Sequence, residues 1–395
     1  MPESNVYLNN ANICFDYVVG SGDADEFDDA KYVVKEICPD WKDAANCEID
    51  VKIIVGGITN RLYRLVWGSK SVLVRVYGDH TDKFIDRAVE NTLFALLSKN
   101  GFAPTYYGRF TNGRVEGWLD ARPLEPHEMG QTQPVNYLQM IGHELALMHL
   151  MDIPGDRTPL LWTKMRHFEK LALEIKLKDP EKNAALKKLN IASLHQKIEW
   201  LMSVLPSIQN AQGKEFLEDD DTDEITKQAV MFASDVVFSH NDLLSGNILH
   251  NPKWDRVQII DYEYGGYNFR GFDFANHFCE NCGFDLTLAL YPSFEQQSAF
   301  FKAYMSTAAP EMLAQLTANR ESKAFFRALY DVVNRYALAS HLFWGFWALV
   351  QASHSKIDFD FLQNSRLGLT NISPQKVQYY CNHDVDSNQR VKWSF

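Results

Sequence analysis

The stretch from Val236 to Glu280 holds side chains whose types and spacing suit the transfer of a phosphoryl group. An apolar run, Val236-Val237-Phe238, leads into His240-Asn241-Asp242, and Asn247 lies five residues past that aspartate. A second apolar run, Val257 to Ile260, then delivers Asp261. A carboxylate beside a nucleophilic hydroxyl orients it or takes its proton. An amide oxygen and a second carboxylate are hard oxygen donors that suit Mg²⁺ held between phosphates. Asp242 is therefore the expected catalytic residue, and Asn247 and Asp261 are expected metal ligands. Glu263 is placed to reach a second metal or a ligand water. His240 is read as a brace for the loop backbone, because Asp242 is better placed for the chemistry. Two polar loops after two buried strands would account for His240 to Asp242 alone. They do not account for the spaced Asn247 and the strand-borne Asp261 together.

Kinases use this order of parts, with an Asn after four residues from the catalytic Asp and a later strand ending in a metal-binding Asp. Here Asp261-Tyr262-Glu263 is followed by Asn268, Asp273, Asn276-His277-Phe278 and Glu280. This stretch resembles the choline/ethanolamine kinase family, whose second signature runs DxExxxxNxxxxDxxNHFxE. Every specified position is filled, and the resemblance extends from about Ile54 to Phe361. It implies ATP as phosphoryl donor and Mg²⁺ as cofactor, and it makes Glu280 the carboxylate for the amine of the acceptor. Asn268 and Asp273 are expected to brace the loop after the signature.

The elements that must hold these groups are legible as runs. Glu48 to Val55, Arg61 to Trp67 and Ser71 to Tyr77 read as strands, Asp86 to Lys99 as a helix, and Tyr106 to Phe110 and Val115 to Leu119 as strands. Gly56-Gly57-Ile58-Thr59-Asn60 joins the first two. Glycine admits close approach to phosphate, and Thr59 and Asn60 add donors. An ordinary hairpin turn has the same look. The family carries a similar Gly-Xaa-Thr/Ser-Asn-Xaa-Leu turn, and Leu62 fits it. Arg75 sits among valines and Leu73, where an unpaired charge is costly. Kinases place a Lys there, paired with a helix Glu. Arg75 is expected to take that place on the ATP phosphates, with Glu90 as its partner. ATP is expected near Glu116 to Leu119, with Glu116 and Trp118 as contacts. The whole is expected to be a protein-kinase-like α+β fold of two lobes: 1–116, a small antiparallel-sheet lobe with a polar N-terminal extension, and 117–395, a large helical lobe. Residues 1–45 read as a short helical or partly mobile extension, and the acidic run within 209–226 as a solvated surface loop.

After Arg122 the pattern turns helical, at Asn136 to Met151, Trp162 to Leu173, Ile191 to Leu205 and from Ser293 to about Gln351. Trp344 and Trp347 lie three apart and share a helix face, where two rings can hold an ammonium ion or simply pack in the core. Details lean towards ethanolamine: His240-Asn-Asp-Leu-Leu244, Gly57 to Asn60, Val72 to Arg75 and Ile357 to Phe361 resemble ethanolamine kinases. Phe278-Cys279-Glu280 looks more like choline kinases. Leu244, near the catalytic Asp, is expected to border the acceptor. The resemblance thus implies an ethanolamine kinase making phosphoethanolamine, with choline as a second acceptor. Choline kinase as the primary activity is the alternative within the family. An aminoglycoside or homoserine phosphotransferase would share Asp242, Asn247 and Asp261 but not the extended signature. A silent kinase-like scaffold would have lost one of those three, and none is lost.

With 46% hydrophobic and 13% aromatic residues the chain is globular, and a net charge of −12 argues against a general nucleic-acid binder. The N-terminus has no basic start followed by an apolar core, so no signal or transit peptide is read and a cytoplasmic location is expected. Ala337 to Val350 is too short for a membrane span and reads as a buried helix. The six cysteines are expected to be reduced thiols. A homodimer remains an open expectation.

Overall fold

Strict alternation of side chains builds a six-stranded sheet. In chain order its elements are β1 (Cys14–Phe15), β2 (Asp50–Ile54), β3 (Asn60–Trp67), β4 (Lys70–Tyr77), β5 (Tyr106–Phe110) and β6 (Gly113–Gly117). The spatial order is β1-β5-β6-β4-β3-β2, antiparallel except for β1 beside β5. This is a computed structural model that describes residues 14–20, 25–54, 60–78, 86–177, 179–189, 191–205, 218 and 222–354. The period of two along β4 and β6 sends Val72, Val74, Val76 and Val115 to one face. They pack there with Ala30, Val33 and Val34 of helix α1 (Glu26–Ile37). Arg75, Arg114 and Glu116 fall on the other face, on the side of helix α2 (Arg87–Lys99).

The N-terminal segment is helical over Glu26–Ile37, as expected, but packs into the core rather than standing as an extension. Asp25 caps α1 by accepting from the Phe27 N–H, acidic residues fill its first turn and Lys35 its last, which suits the helix dipole. Val33 and Val34 are fully buried. The acidic composition of the segment hides an apolar stripe at i, i+3, i+4. The strand expected at Val115 to Leu119 is Gly113–Gly117, because the register pairs Gly113 with Val76.

The chain divides into two units. The first is Met1–Arg122 with Leu249–Lys253 and Gln258–Tyr264; the second is Pro123–Ile248, Trp254–Val257 and Gly265–Phe395. A continuous boundary at 116/117 was the expectation; instead the first unit reclaims two later pieces of chain.

Beyond the two-residue strand β7 (Arg122–Pro123), the second unit is mainly helical: α3 (Tyr137–His149), α4 (Leu160–Leu173), α5 (Pro180–Lys188), α6 (Ile191–Val204) and α7 (Glu224–Ser234). Strand β8 (Val236–Ser239) pairs antiparallel with β11 (Gly266–Phe269). Between them in the chain come β9 (Ile248–His250) and β10 (Gln258–Ile259), which apart from Ile248 belong to the first unit. Helices α8 (Arg270–Glu280), α9 (Phe294–Ala308), α10 (Pro310–Ala318) and α11 (Ser322–His354) complete it. Helices α3 and α9 approach closely at Gly142, where an added Cβ would lie 3.1 Å from the Phe300 carbonyl oxygen. Phe274, Phe300, Phe301 and Tyr304 form an aromatic core between α8 and α9. The apolar run from Ala337 lies within α11, and no described helix is long and apolar enough to cross a membrane.

Candidate functional site

Asp242 stands on a loop at the end of β8, and its backbone is held from several sides. Asn241 adopts φ 64° and is fully buried. Its N–H donates to Asp273 Oδ1 (2.7 Å), its Oδ1 accepts from Asn268 Nδ2 (2.8 Å) and its carbonyl accepts from Asn276 Nδ2 (3.1 Å). The His240 N–H donates to Asp273 Oδ2 (2.9 Å), and the Asp242 N–H donates to His240 Nδ1 (3.2 Å). His240 is thus the backbone brace that the sequence suggested. Asn268 and Asp273, on β11 and α8, tie down residues 240–241 rather than the loop after the signature. His277 Nδ1 donates to the Leu243 carbonyl (2.9 Å), and burial pushes its pKa down to about 4, so the ring is neutral. Asn247, in a 3-10 turn, donates through Nδ2 to the Asp242 carbonyl (2.8 Å).

Asp273 sits in the first turn of α8. Burial alone would raise its pKa, but the bonds from His149 and His240 hold it below the usual carboxylate value. His149 Nε2 donates to Asp273 Oδ2 (2.9 Å), and its Nδ1 accepts from the Tyr304 hydroxyl (2.8 Å). Burial lowers the His149 pKa, so it serves as a neutral strut. Neither His149 nor Tyr304 carried any signal in the sequence.

The first unit holds the charges expected around phosphate. Arg75 Nε donates to Glu116 Oε1 (2.7 Å), and its Nη1 reaches Asp261 Oδ2 (3.4 Å). Glu90, the expected partner of Arg75, binds Arg114 (2.5 Å) and Arg87 (2.6 Å). The one-turn reach of a helix glutamate is taken up by Arg114, which lies on the strand next to Arg75. Arg114 was missed, although a charge between Gly113 and Val115 is the same signal that marks Arg75. Burial would raise the pKa values of Glu116 and Glu90, but their arginine partners pull both below the usual value. Trp118 lies under the Arg64 guanidinium (4.2 Å), and its buried Nε1 has no acceptor among the described residues. Gly56, Gly57 and Thr59 lie outside the described residues; Asn60 opens β3 opposite Tyr77.

Asp261 has φ 65°, and its buried Oδ1 has no hydrogen-bond partner among the described residues. Glu263 lies 3.5 Å from Arg87, and burial together with the Asp261 charge pushes its pKa up to about 8. The unsatisfied oxygen of Asp261 and the amide oxygen of Asn247 are hard donors of the kind Mg²⁺ prefers. Among the described residues no group of three or more His, Cys, Asp and Glu side chains is gathered to hold an ion.

A third cluster lies where α8 and α11 meet. Asn276 Oδ1 accepts from Ser340 Oγ (2.7 Å) and from Trp344 Nε1 (2.7 Å). Trp344 and Trp347 meet edge to face at 5.4 Å, both partly exposed. Glu280 ends α8 without a side-chain hydrogen bond or ion pair among the described residues, and burial pushes its pKa up to about 7. Leu244 precedes the 3-10 turn Ser245–Asn247 and is partly buried. Cys14, Cys38, Cys47, Cys279 and Cys282 are free thiols.

Residues 51–371 match the choline/ethanolamine kinase family. The chain is similar to a probable ethanolamine kinase of Arabidopsis thaliana, 33% identical over 83% of this chain and 80% of that one. It is also similar to a probable choline kinase 3 of the same plant, 30% identical over 86% and 90%. Among solved structures, a Plasmodium vivax ethanolamine kinase superposes with a TM-score of 0.72 at 25% identity, covering 92% of this chain and 93% of its own.

Proposed function

Because the chain belongs to the choline/ethanolamine kinase family, we propose that it transfers the γ-phosphoryl group of ATP to the hydroxyl of ethanolamine, with choline as a second acceptor. The single observation that carries the choice of a cationic acceptor is the edge-to-face pair of Trp344 and Trp347, bonded to α8 through Asn276, with Glu280 at the end of that helix. A carboxylate without a partner among the described residues and an edge-to-face tryptophan pair suit an ammonium ion. Asp242 orients the acceptor hydroxyl and takes its proton as the oxygen bonds to phosphorus and ADP departs. Its backbone is fixed for this by His240, Asn241 and Asp273. Asn247 and Asp261 are the residues that would hold Mg²⁺, with Glu263 as a further ligand or a ligand to its water. The ion would neutralise charge on the phosphates. Arg75 serves the phosphates, and Trp118 and the turn at 56–60 complete the ATP contacts. Glu116 contributes by holding Arg75. The product, phosphoethanolamine, is the first intermediate of the CDP-ethanolamine route to phosphatidylethanolamine. A cytoplasmic location and a homodimer belong to the same proposal.

Choline is the second reading, favoured by the aromatic pair, since a trimethylammonium has no donors and seeks ring faces. Steady-state kcat/KM for ethanolamine and choline with Mg-ATP decides between them. A higher value for ethanolamine is expected. A higher value for choline would make choline the primary acceptor. ATP binding without turnover on either would leave a silent scaffold.

A further inference from the structure

Seven ionisable side chains of the first unit form one circuit. From Asp261 it passes to Arg75 (3.4 Å), Glu116 (2.7 Å), Arg114 (2.7 Å), Glu90 (2.5 Å), Arg87 (2.6 Å) and Glu263 (3.5 Å). It closes through the backbone of Tyr262. Arg75, Glu116, Arg114, Glu90 and Glu263 have side chains no more than 5% exposed, so water does little to screen these pairs.

Arg75 and Arg114 are register partners on β4 and β6. Two guanidinium ions placed side by side repel, and neither escapes by losing its proton. One atom relieves this repulsion: Glu116 Oε1 accepts from Nε of both arginines, at 2.7 Å each. Arg114 is held at its far end by Glu90, and Arg75 by Asp261. The pull of Glu116 on Arg75 therefore depends on what Arg114 takes of it. Without Arg114, Glu116 would face one cation and favour a two-point grip on it. That grip would turn Arg75 away from Asp261.

We propose that Arg114 is a positioning residue for phosphoryl transfer: by sharing Glu116 Oε1 it sets the placement of Arg75 against Asp261 and the ATP phosphates. Helix α2 acts on Arg75 through this relay, because its Glu90 bonds Arg114. The inference rests on the proposed role of Arg75 at the phosphates.

The test is the Kd of the full-length protein for Mg-ATP, measured by calorimetry without acceptor, together with kcat, both KM values and Tm. Arg114→Met is expected to weaken Mg-ATP binding by about 10-fold or more, the scale of one lost charge-assisted hydrogen bond. The KM for ethanolamine should move by less than about 3-fold. Arg114→Lys should recover part of the loss. The double variant Arg114→Met, Glu90→Gln removes the carboxylate that the single change leaves buried and short of one cation. Its Tm should return towards wild type while its Kd stays raised. If Kd recovers along with Tm, Arg114 only neutralises Glu90 and the proposal is overturned. Wild-type affinity in Arg114→Met overturns it equally. A protein that binds Mg-ATP but leaves ethanolamine and choline untouched would overturn the proposed acceptor and not this inference. A wild type that does not bind Mg-ATP would overturn both.

Discussion

As the proposed carboxylate for the amine of the acceptor, Glu280 would join acceptor binding to pH. Burial raises its pKa to about 7, so near neutrality the carboxyl still carries a proton in part of the molecules. A protonated carboxyl offers no charge to an ammonium ion. Binding the cation therefore favours loss of that proton, and affinity rises with pH until the carboxyl is fully ionised. The KM for the acceptor should fall between pH 6 and pH 8, and choline is the cleaner probe because it carries no titrating proton. Glu280→Gln should give a higher KM with a flat profile over that range. A wild-type KM for choline that is independent of pH would remove Glu280 from the amine site. The spacing of the signature marked Glu280 and Asp242 plainly. Asn241 gave no such warning, because its left-handed backbone and its ties to Asp273, Asn268 and Asn276 are properties of the fold around it.

Among the elements, helix α1 departs furthest from its expected character. Val33 has no exposed surface and packs in the cluster with Val72, Val74 and Val115. Removing two methyl groups there leaves a void that the sheet cannot close. Val33→Ala should lower unfolding stability by about 2 kcal/mol in urea titration, with a parallel loss of activity at elevated temperature. No change would mean that α1 is dispensable to the sheet. Most strands and helices were legible because their apolar periods are strong, as in Ser71 to Tyr77 and Asp86 to Lys99. The burial of helix α1 was not, because Glu26, Asp28 and Asp29 mask the apolar Ala30, Val33 and Val34. Helix α8 was missed for a related reason. Its Asp273, Asn276 and His277 are buried polar residues whose partners lie on the 240–243 loop and α3. Polar residues that point inward look like a loop until their partners are known. The pairing of Arg75 with Glu116 was not legible because the register sets Arg75 opposite Arg114 and Glu116 opposite Leu73, so only the side-chain bond shows it.

For the whole molecule, the decisive feature is that the first unit is assembled from separated stretches, with 258–264 returning to a body built mainly from residues up to 122. A fragment ending at residue 122 lacks Asp261 and Glu263, two of the four carboxylates of the charged circuit. Its residues should be cut faster by a protease than the same residues in the full chain. Equal resistance would mean that the circuit adds nothing to the first unit. Seen as a sequence of events in synthesis, the sheet emerges long before its charges are balanced. Arg75 and its partner Asp261 lie 186 positions apart. At usual elongation rates the nascent sheet waits on the order of ten seconds for that carboxylate. The face that carries Arg75 and Arg114 is therefore the last part of this early domain to set, and the growing chain passes through an interval in which an arginine-rich face is held by only half of its final acids.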